Sequence, residues 1–284
     1  MPELPEVETV RRMLEVSVRG RTIASVRLSG AKLRSRIAPS LPSRLRRRRV
    51  TGVRRHGKYL LIDLDEDLTL LSHLGMSGRW LFSTDGRPAP LPHVHVRLAF
   101  ADGSSLRFQD PRRFGMLRLV RRDRLWRDPS LAVLGPDPFA SPPAGEWLHR
   151  LARGARVSVK NFLLDQRRLA GIGNIYASEI LHRGRVDPRR RAGALGREEW
   201  NAVAAEIPRV LGEAIERMGT TFRSYRTLWN EPGGYGEKLL VYDRAGEPCR
   251  RCGTPIKRIV QGQRSTYFCP RCQGRKASRA PARS

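Results

Sequence analysis

The feature that most constrains the fold is a group of four cysteines near the C-terminal end of the chain. The four are Cys249, Cys252, Cys269 and Cys272. They form two C-x-x-C pairs with sixteen residues between the pairs, a spacing typical of two zinc knuckles that close a β-hairpin. We therefore predict one zinc ion, strands over 256–260 and 265–268, and a hairpin tip that carries Arg264. Four thiolates leave no open coordination position, so this zinc is expected to be structural.

The charge of the chain is the second constraint. Its 284 residues include 55 Lys and Arg against 27 Asp and Glu, a formal net charge of +28. Such an excess favours a polyanionic partner, and nucleic acid is the most common one. Because 39% of the residues are hydrophobic, the chain is expected to bury more than one core, unlike a short packaging protein. Nothing in the sequence requires an oligomer, so we expect a monomer.

The N-terminal segment, MPELPE, is acidic and interrupted by prolines. It lacks the charged and apolar regions of a signal peptide, and the chain has no apolar run long enough to span a membrane. We therefore expect a cytoplasmic protein that associates with the nucleoid and not with membranes. In that reducing compartment, clustered cysteines favour a metal site over disulfides.

The first half of the chain combines one helical pattern with several strand-like runs. Apolar residues at Val7, Val10, Leu14 and Val18 recur every three or four positions and predict a helix from Glu3 to Val18. The predicted strands cover 22–28, 58–64, 68–74, 93–100, 104–108 and 116–120. Together these elements predict a β-sandwich with flanking helices.

The second half of the chain is mainly helical. A proline-rich stretch over 134–145 predicts a linker, and Pro208 is expected to kink or interrupt the last helix. The predicted helices cover 146–153, 157–166, 174–183 and 197–218. The expected organisation is an α+β multidomain chain: a β-sandwich domain over 1–133, a linker over 134–145, a helical domain over 146–240, a zinc finger over 241–274 and a basic disordered tail over 275–284.

The residues that follow Met1 are suited to nucleophilic chemistry. A small second residue permits removal of Met1, after which Pro2 offers a secondary α-amine. Because α-amines titrate near 8 and Lys near 10.4, a larger fraction of the α-amine is neutral at pH 7. Glu3, beside it, is suited to proton transfer. The alternative is that Met-Pro-Glu is an ordinary beginning without chemical meaning.

Three residues in turn-rich stretches have side chains suited to insertion into DNA. Met76 lies in GMSG, and Arg112 and Phe114 lie in DPRRFG. Apolar side chains on exposed loops can unstack DNA and fill the hole left by an extruded base. Packing of Met76 and Phe114 inside the protein is an equally open interpretation.

Other motifs allow both a functional and a purely structural interpretation. Gly171-Ile172-Gly173-Asn174 precedes a predicted helix, where backbone N–H groups and the Asn174 side chain can bind a phosphate, but the same pattern is common in ordinary turns. Lys58 is one of only six lysines in this arginine-rich chain, and it is either a surface base or an amine kept for chemistry. Arg264 at the hairpin tip either enters DNA or is solvated.

Taken together, six motifs resemble those of the bacterial formamidopyrimidine-DNA glycosylase family. They are MPELPEVETV, HGKYL, HLGMSGRW, QDPRRFG, LLDQRRLAGIGNIYASEILHRG and CRRCGTPIKRIVQGQRSTYFCPRC. The match runs in the family's order from residue 1 to about residue 273. The resemblance implies a β-sandwich domain, a helix-two-turn-helix domain and a zinc-finger hairpin, with damaged double-stranded DNA as the partner.

The resemblance also implies a reaction, namely base-excision repair by a bifunctional DNA glycosylase and AP lyase. Pro2 would attack C1′ of an oxidised purine nucleotide, such as 8-oxoguanine or a formamidopyrimidine, and form an iminium, while Glu3 protonates the sugar. Lys58 would donate a proton in β-elimination, and Arg264 would serve δ-elimination and phosphate binding.

The DNA contacts implied by the resemblance fall into two groups. Met76, Arg112 and Phe114 would fill the gap in the duplex, with Arg112 facing the orphan base. The residues implied to bind the DNA backbone are His93, Lys160 and Asn174, and Arg156 is the one candidate for a further basic contact of the family. The loop over 220–237 would cover the flipped base.

Two other functions need to be weighed against this one. A relative that resembles endonuclease VIII would prefer oxidised pyrimidines, but Leu4 and the set of Met76, Arg112 and Phe114 argue against it. The second is a noncatalytic zinc protein that binds DNA. Pro2, Glu3 and Lys58 argue against this class, because binding alone needs none of them.

Overall fold

The computed structural model describes residues 1–85, 88–221 and 225–274. The chain divides into two units, which we describe separately. Unit 1 comprises Met1–Leu134 and Glu213–Glu237, and unit 2 comprises Gly135–Gly212 and the chain from Lys238 onward. The predicted tail over 275–284 and residues 222–224 of the predicted covering loop lie outside the described residues.

Unit 1 contains two four-stranded antiparallel sheets, which confirms the predicted β-sandwich. The first sheet has the order β1 (Ile23–Leu28), β6 (Val94–Phe100), β7 (Ser105–Gln109) and β5 (Arg79–Ser83). The second has the order β2 (Val50–His56), β3 (Tyr59–Leu64), β4 (Leu68–His73) and β8 (Met116–Arg121). Helix α1 (Leu4–Val18) packs against β2 and β3.

The second sheet is buried on both faces at its centre, which explains the nearly continuous apolar sequence of β3. Leu60 and Ile62 belong to the main core of unit 1. Leu61, one position out of phase, packs in a smaller cluster with Leu71 and Leu125. Because successive side chains of a strand point to opposite faces, a strand covered on both sides shows no polar alternation.

The sequence prediction did not include strands β2 and β5 or the short helix α2 (Leu41–Leu45) of unit 1. Strand β2 reads VTGVRRH, in which only Val50 and Val53 are buried. It is nevertheless a regular strand, because β3 pairs with it along its length. Tertiary pairing thus overrides a weak local pattern.

The described part of unit 2 contains four α-helices and one β-hairpin. The helices are α3 (Gly145–Leu151), α4 (Val159–Leu164), α5 (Asn174–Arg183) and α6 (Arg197–Glu216), whose last residues belong to unit 1. The hairpin consists of β9 (Lys257–Gln261) and β10 (Arg264–Phe268), paired with Arg264 opposite Gln261. The predicted helices and hairpin are confirmed, with ends that differ by a few residues.

The sequence predicted a kink or an interruption of α6 at Pro208. The interruption does not occur, since the helix continues from Arg197 to Glu216 with the proline inside it. Proline removes one backbone hydrogen bond and crowds the preceding turn. Apolar residues on both sides of it are fully buried, among them Trp200, Ile207 and Leu211, and their packing offsets this cost. Within the described residues, no helix is both long and apolar enough to cross a membrane.

Candidate catalytic amine and nucleic-acid surfaces

The amino terminus of the chain is held at the first turn of α1. Pro2 is buried, and Glu3, the N-cap residue, is only 4% exposed. The Glu3 backbone N–H donates a hydrogen bond to Glu6 Oε2 at 2.7 Å. This bond occupies a donor that a helix N-terminus would otherwise leave unpaired, so the terminus has a defined position.

The α-amino group of Met1 lies among acidic and basic side chains. Burial lowers the pKa of this amine from its usual value. Glu3 and Glu6 act to raise this pKa, Lys58 and Arg112 act to lower it, and the net direction is downward. An amine with a lowered pKa is neutral, and therefore nucleophilic, over a wider pH range. Three predicted site residues, Glu3, Lys58 and Arg112, thus act electrostatically on one amine, that of Met1.

Glu6 also connects the amino terminus with the segment that follows α6. Its Oε1 atom accepts a hydrogen bond from the Thr220 N–H at 2.8 Å. The preceding residue, Gly219, has φ +79°, and a Cβ atom there would lie 2.8 Å from Glu6 Oε1. Glycine therefore meets both a conformational and a steric requirement at this position.

Lys58 is placed by the turn between β2 and β3. Gly57 has φ +55°, and its carbonyl accepts a hydrogen bond from Arg55 Nη1 at 2.9 Å. Arg55 Nε donates to Glu8 Oε2, also at 2.9 Å. Burial raises the pKa of Glu8, but hydrogen bonds from Arg11 and Arg55 outweigh burial and lower the pKa overall. An ionised Glu8 on α1 thus fixes the turn that carries Lys58, which is 6% exposed.

Asp110 joins the loop of Met76 to the loop of Arg112. Its Oδ1 accepts a hydrogen bond from Ser77 Oγ at 2.6 Å, and its Oδ2 accepts one from the Gly115 N–H at 2.7 Å. The Arg112 N–H in turn donates to Ser77 Oγ at 3.2 Å. One buried carboxylate therefore organises both loops.

The apolar side chains on these two loops point outward. Met76 is 38% exposed and Phe114 is 46% exposed, so the interpretation that both are buried packing residues is wrong. Arg112 Cζ lies 5.1 Å from the centroid of the Phe114 ring, within cation–π range. Gly75 has φ +61°, and a Cβ atom there would lie 2.4 Å from the Phe114 carbonyl carbon, so close contact of the loops requires glycine.

His93 lies just before β6, with an exposed side chain and φ +61°. Its carbonyl accepts a hydrogen bond from the Asp110 N–H at 2.9 Å. The side chain is therefore presented to solvent next to the two loops, an arrangement that suits the predicted phosphate contact.

In unit 2, Lys160 and Asn174 both bind the zinc-finger hairpin. Lys160 is fully buried, and its Nζ donates to the Ser265 carbonyl at 2.8 Å and to Thr266 Oγ1 at 2.7 Å. Asn174 Nδ2 donates to the same Ser265 carbonyl at 2.9 Å. These two predicted DNA-contact residues thus fix the strand that carries Arg264.

The hairpin tip places Arg264 at the surface of unit 2. Gly262 and Gln263 have φ +53° and +61° and form the turn. A Cβ atom on Gly262 would lie 3.0 Å from Asn161 Nδ2, so the tip lies close to α4. Arg264 and Arg156 are both exposed. Each has a guanidinium available for a phosphate.

The four predicted zinc ligands form one cluster, whose sulfur atoms all lie within 4.8 Å of one another. Such a set of four thiolates fits a tetrahedral zinc ion. Gln273 buttresses the cluster, because its Oε1 accepts a hydrogen bond from the Cys269 N–H and its Nε2 donates to the Val186 carbonyl, both at 2.9 Å.

Sequence reasoning missed the residues that position the site: Glu6, Glu8, Arg55 and Asp110. The spacing Glu3-x-x-Glu6 is that of a capping box and could have indicated Glu6. For the other three the partner lies far along the chain or in an irregular loop, and no local pattern marks such a pair.

Three family models match the chain in sequence. The formamidopyrimidine-DNA glycosylase N-terminal domain matches residues 1–117, and the H2TH domain of the same enzyme matches residues 134–226. A zinc finger found in FPG and IleRS matches residues 246–274.

Curated proteins and solved structures agree with these models. The formamidopyrimidine-DNA glycosylase of Methylococcus capsulatus is 47% identical, over 96% of this chain and 100% of that protein. The MutM (Fpg) protein of Thermus thermophilus has a TM-score of 0.84 at 41% identity, over 96% of this chain and 99% of that one. A Lactococcus lactis FPG mutant in complex with DNA that contains Fapy-dG has a TM-score of 0.88 at 32% identity, over 96% of this chain and 100% of that one.

The sandwich unit with its buried amino terminus, the helical unit and the four-cysteine zinc finger together define a zinc-finger DNA glycosylase. The matches extend along 96% of the chain, at up to 47% identity. The chain therefore belongs to the formamidopyrimidine-DNA glycosylase family.

Proposed function

We propose that this enzyme is a bifunctional DNA glycosylase and AP lyase that removes 8-oxoguanine and formamidopyrimidines from duplex DNA of the nucleoid. The observation that carries the proposal is the position of the amino terminus: Pro2 is buried beside the buried Glu3, and Lys58 acts electrostatically on the amine of the preceding Met1. Solved relatives in complex with Fapy-dG DNA and with DNA that contains carbocyclic 8-oxo-G support the lesion class.

In the proposed glycosylase step, Met1 has been removed and the Pro2 nitrogen attacks C1′ of the damaged nucleotide. The bond from C1′ to the base breaks, and the base leaves with the bonding electrons and the proton that Pro2 loses. Glu3 then protonates O4′ as the bond from C1′ to O4′ opens. The nitrogen lone pair forms a C1′–N iminium in this step.

In the proposed lyase steps, the iminium acidifies the sugar and both phosphates leave. Solvent takes a C2′ proton, the bond from C3′ to O3′ breaks, and the 3′ phosphate leaves with the bonding electrons and a proton donated by Lys58. Loss of the C4′ proton then expels the 5′ phosphate, which Arg264 binds. Water finally hydrolyses the iminium and restores the Pro2 amine.

For Met76, Phe114, Arg112, His93 and Arg156, the proposed DNA contacts rest on the exposure of these side chains. Met76 and Phe114 are exposed apolar side chains on one organised pair of loops, which supports filling of the gap, and Arg112 would face the orphan base. His93, Arg156, Lys160 and Asn174 are proposed to bind the DNA backbone. For Lys160 and Asn174 this would add to the bonds that they make to the hairpin.

Borohydride trapping on a duplex with 8-oxoguanine opposite cytosine tests the proposal. Reduction of an iminium gives a permanent protein–DNA adduct, so the parent protein should be trapped on this duplex and not on undamaged DNA. Pro2→Gly should be trapped far less but bind the duplex with similar affinity. Pro42→Gly, the same change in the first turn of α2, should behave as the parent.

Three results would contradict the proposal. Failure to trap protein whose Met1 is removed would exclude the covalent mechanism. Equal trapping of Pro2→Gly would show that the secondary amine of proline is not required and would leave a lysine as a possible nucleophile. Stronger trapping on a duplex with an oxidised pyrimidine would assign a different lesion class.

A further inference from the structure

A histidine of α5 lies next to the zinc cluster without belonging to it. His182 is only 1% exposed, and its Nε2 lies 3.6 Å from Cys249 Sγ. The four cysteine sulfurs already supply a closed tetrahedral set. His182 is therefore placed to act on a zinc ligand rather than on the metal.

The direction of this hydrogen bond follows from the chemistry of the sulfur. A zinc-bound thiolate has no proton and can only accept. Nδ1 of His182 is buried and has no hydrogen-bond partner among the described residues. A proton on Nδ1 would leave a buried donor unpaired and would direct the Nε2 lone pair at the sulfur. The tautomer with the proton on Nε2 avoids both costs.

Helix α5 holds the imidazole in place through a second contact with the finger. The Glu179 carboxylate, three residues before His182, accepts backbone hydrogen bonds from Leu240, Val241 and Tyr242 at 2.8–3.0 Å. These residues belong to the segment that leads into the first knuckle. The helix and the segment before the first knuckle are thus joined about one turn away from the contact between His182 Nε2 and Cys249 Sγ.

We propose that His182 is an outer-sphere residue of the zinc site, whose Nε2–H donates a hydrogen bond to the Cys249 thiolate and slows the loss of zinc. A hydrogen bond to a thiolate withdraws charge from the sulfur and fixes its lone pairs. Outer-sphere partners of this kind change metal affinity by about 10–100-fold. This role is independent of the proposed reaction.

The test compares the parent with His182→Phe, which keeps an aromatic ring and removes the donor. Zinc release into excess chelator should be about 10–100-fold faster in the variant. In the cobalt-substituted proteins, the thiolate-to-cobalt charge-transfer band should move to longer wavelength, because loss of the hydrogen bond raises the energy of the sulfur lone pair. Neither readout uses enzyme activity.

Ser178→Ala is the matched control on the same helix. Ser178 is also buried, and its hydroxyl donates to the Asn174 carbonyl at 2.9 Å rather than to a sulfur. This variant should release zinc as the parent does. If it releases zinc as fast as His182→Phe, the effect reflects general loosening of α5 and the proposal fails.

Two further results would overturn the proposal. The first is an unchanged release rate and an unchanged charge-transfer band in His182→Phe. The second is a parent cobalt spectrum typical of three sulfurs and one nitrogen, which would make His182 a direct ligand. If His182→Phe does not fold, His182→Gln and His182→Ala replace it in the test. His182→Gln keeps an N–H donor, so its rate of zinc release must lie closer to that of the parent than the rate of His182→Ala does.

Discussion

At the residue scale, three buried carboxylates position the groups that we propose to react or to contact DNA. Glu6 binds both the amino terminus and Thr220. Glu8 holds the arginine that fixes the turn of Lys58. Asp110 joins the loops of Met76 and Arg112. Each carboxylate accepts hydrogen bonds from separate segments, so its removal leaves several buried donors unpaired.

Asp110→Ala should uncouple the two loops and slow excision more than it slows chemistry on an already abasic duplex. Loss of two buried hydrogen bonds should also cost about 2–4 kcal/mol of unfolding free energy. Excision rates on 8-oxoguanine and abasic duplexes, together with urea unfolding, measure both effects. Asp102→Ala is the control, since Asp102 accepts bonds from Ser104 in an exposed turn away from the site. Equal slowing on both duplexes would contradict this role.

His73 should make the stability of the protein depend on pH. Burial, with the charges of Lys58 and Arg34, lowers its pKa to about 4, against about 6.5 in an unfolded chain. Between these values the unfolded chain binds a proton that the folded chain does not. The free energy of unfolding therefore falls as pH is lowered from about 6.5 towards 4, by at most about 3 kcal/mol from this residue.

The hydrogen bond from the Gly75 N–H to His73 Nδ1 at 2.9 Å acts in the same direction as burial, because a protonated Nδ1 cannot accept it. His73→Gln keeps an acceptor without a titrating group, so its unfolding free energy should vary less between about pH 5 and pH 7. Urea unfolding of both proteins across this range is the measurement. Identical pH dependence would exclude the contribution of His73.

At the scale of elements, local pattern predicted most of the helices and strands but not the irregular partners. The period of Val7, Val10, Leu14 and Val18 is that of α1, and all four are buried. Strand β2 carries little apolar signal and depends on its pairing with β3. The helix-breaking effect of Pro208 was overestimated, because burial around it is not visible in a local window.

Gly219→Ala should destabilise unit 1 more than the same change at Gly103. Both glycines have positive φ, +79° and +86°, but only Gly219 has a neighbour within 4 Å of an added Cβ, namely Glu6. The backbone cost of about 1 kcal/mol is common to both variants, and the difference between them reports the contact with Glu6. Thermal unfolding of the two variants measures it, and equal destabilisation would show that the contact with Glu6 has no energetic weight.

At the scale of the whole molecule, the sequence predicted the zinc site better than the contacts between distant residues. The four zinc ligands follow from residue type and spacing, whereas the roles of the α-amine and Glu3 stay predictions. The bond from Lys160 to Ser265 joins positions 105 residues apart, and no local pattern predicts such a pair. An arginine-rich chain with a net charge of +28 indicates a polyanion but not where it binds.

Removal of zinc should abolish duplex binding before it abolishes the chemistry of the amine. The finger positions Arg264 through β10, whereas Pro2 lies in unit 1. Cys269→Ser should lose zinc, measured as metal content, and lose duplex affinity, measured by fluorescence anisotropy. Re-addition of zinc to chelator-treated parent protein should restore binding and is the control. A zinc-free protein that binds as the parent does would contradict a structural role of the metal in DNA binding.

The central claim is that the nucleophile is the amine of Pro2. Its most direct test is mass spectrometry of peptides from the borohydride-trapped adduct. The account predicts an amino-terminal peptide that begins at Pro2, lacks Met1 and carries the sugar remnant on its nitrogen. A remnant on Lys58 or any other lysine, or a trapped chain that still begins with Met1, would contradict it.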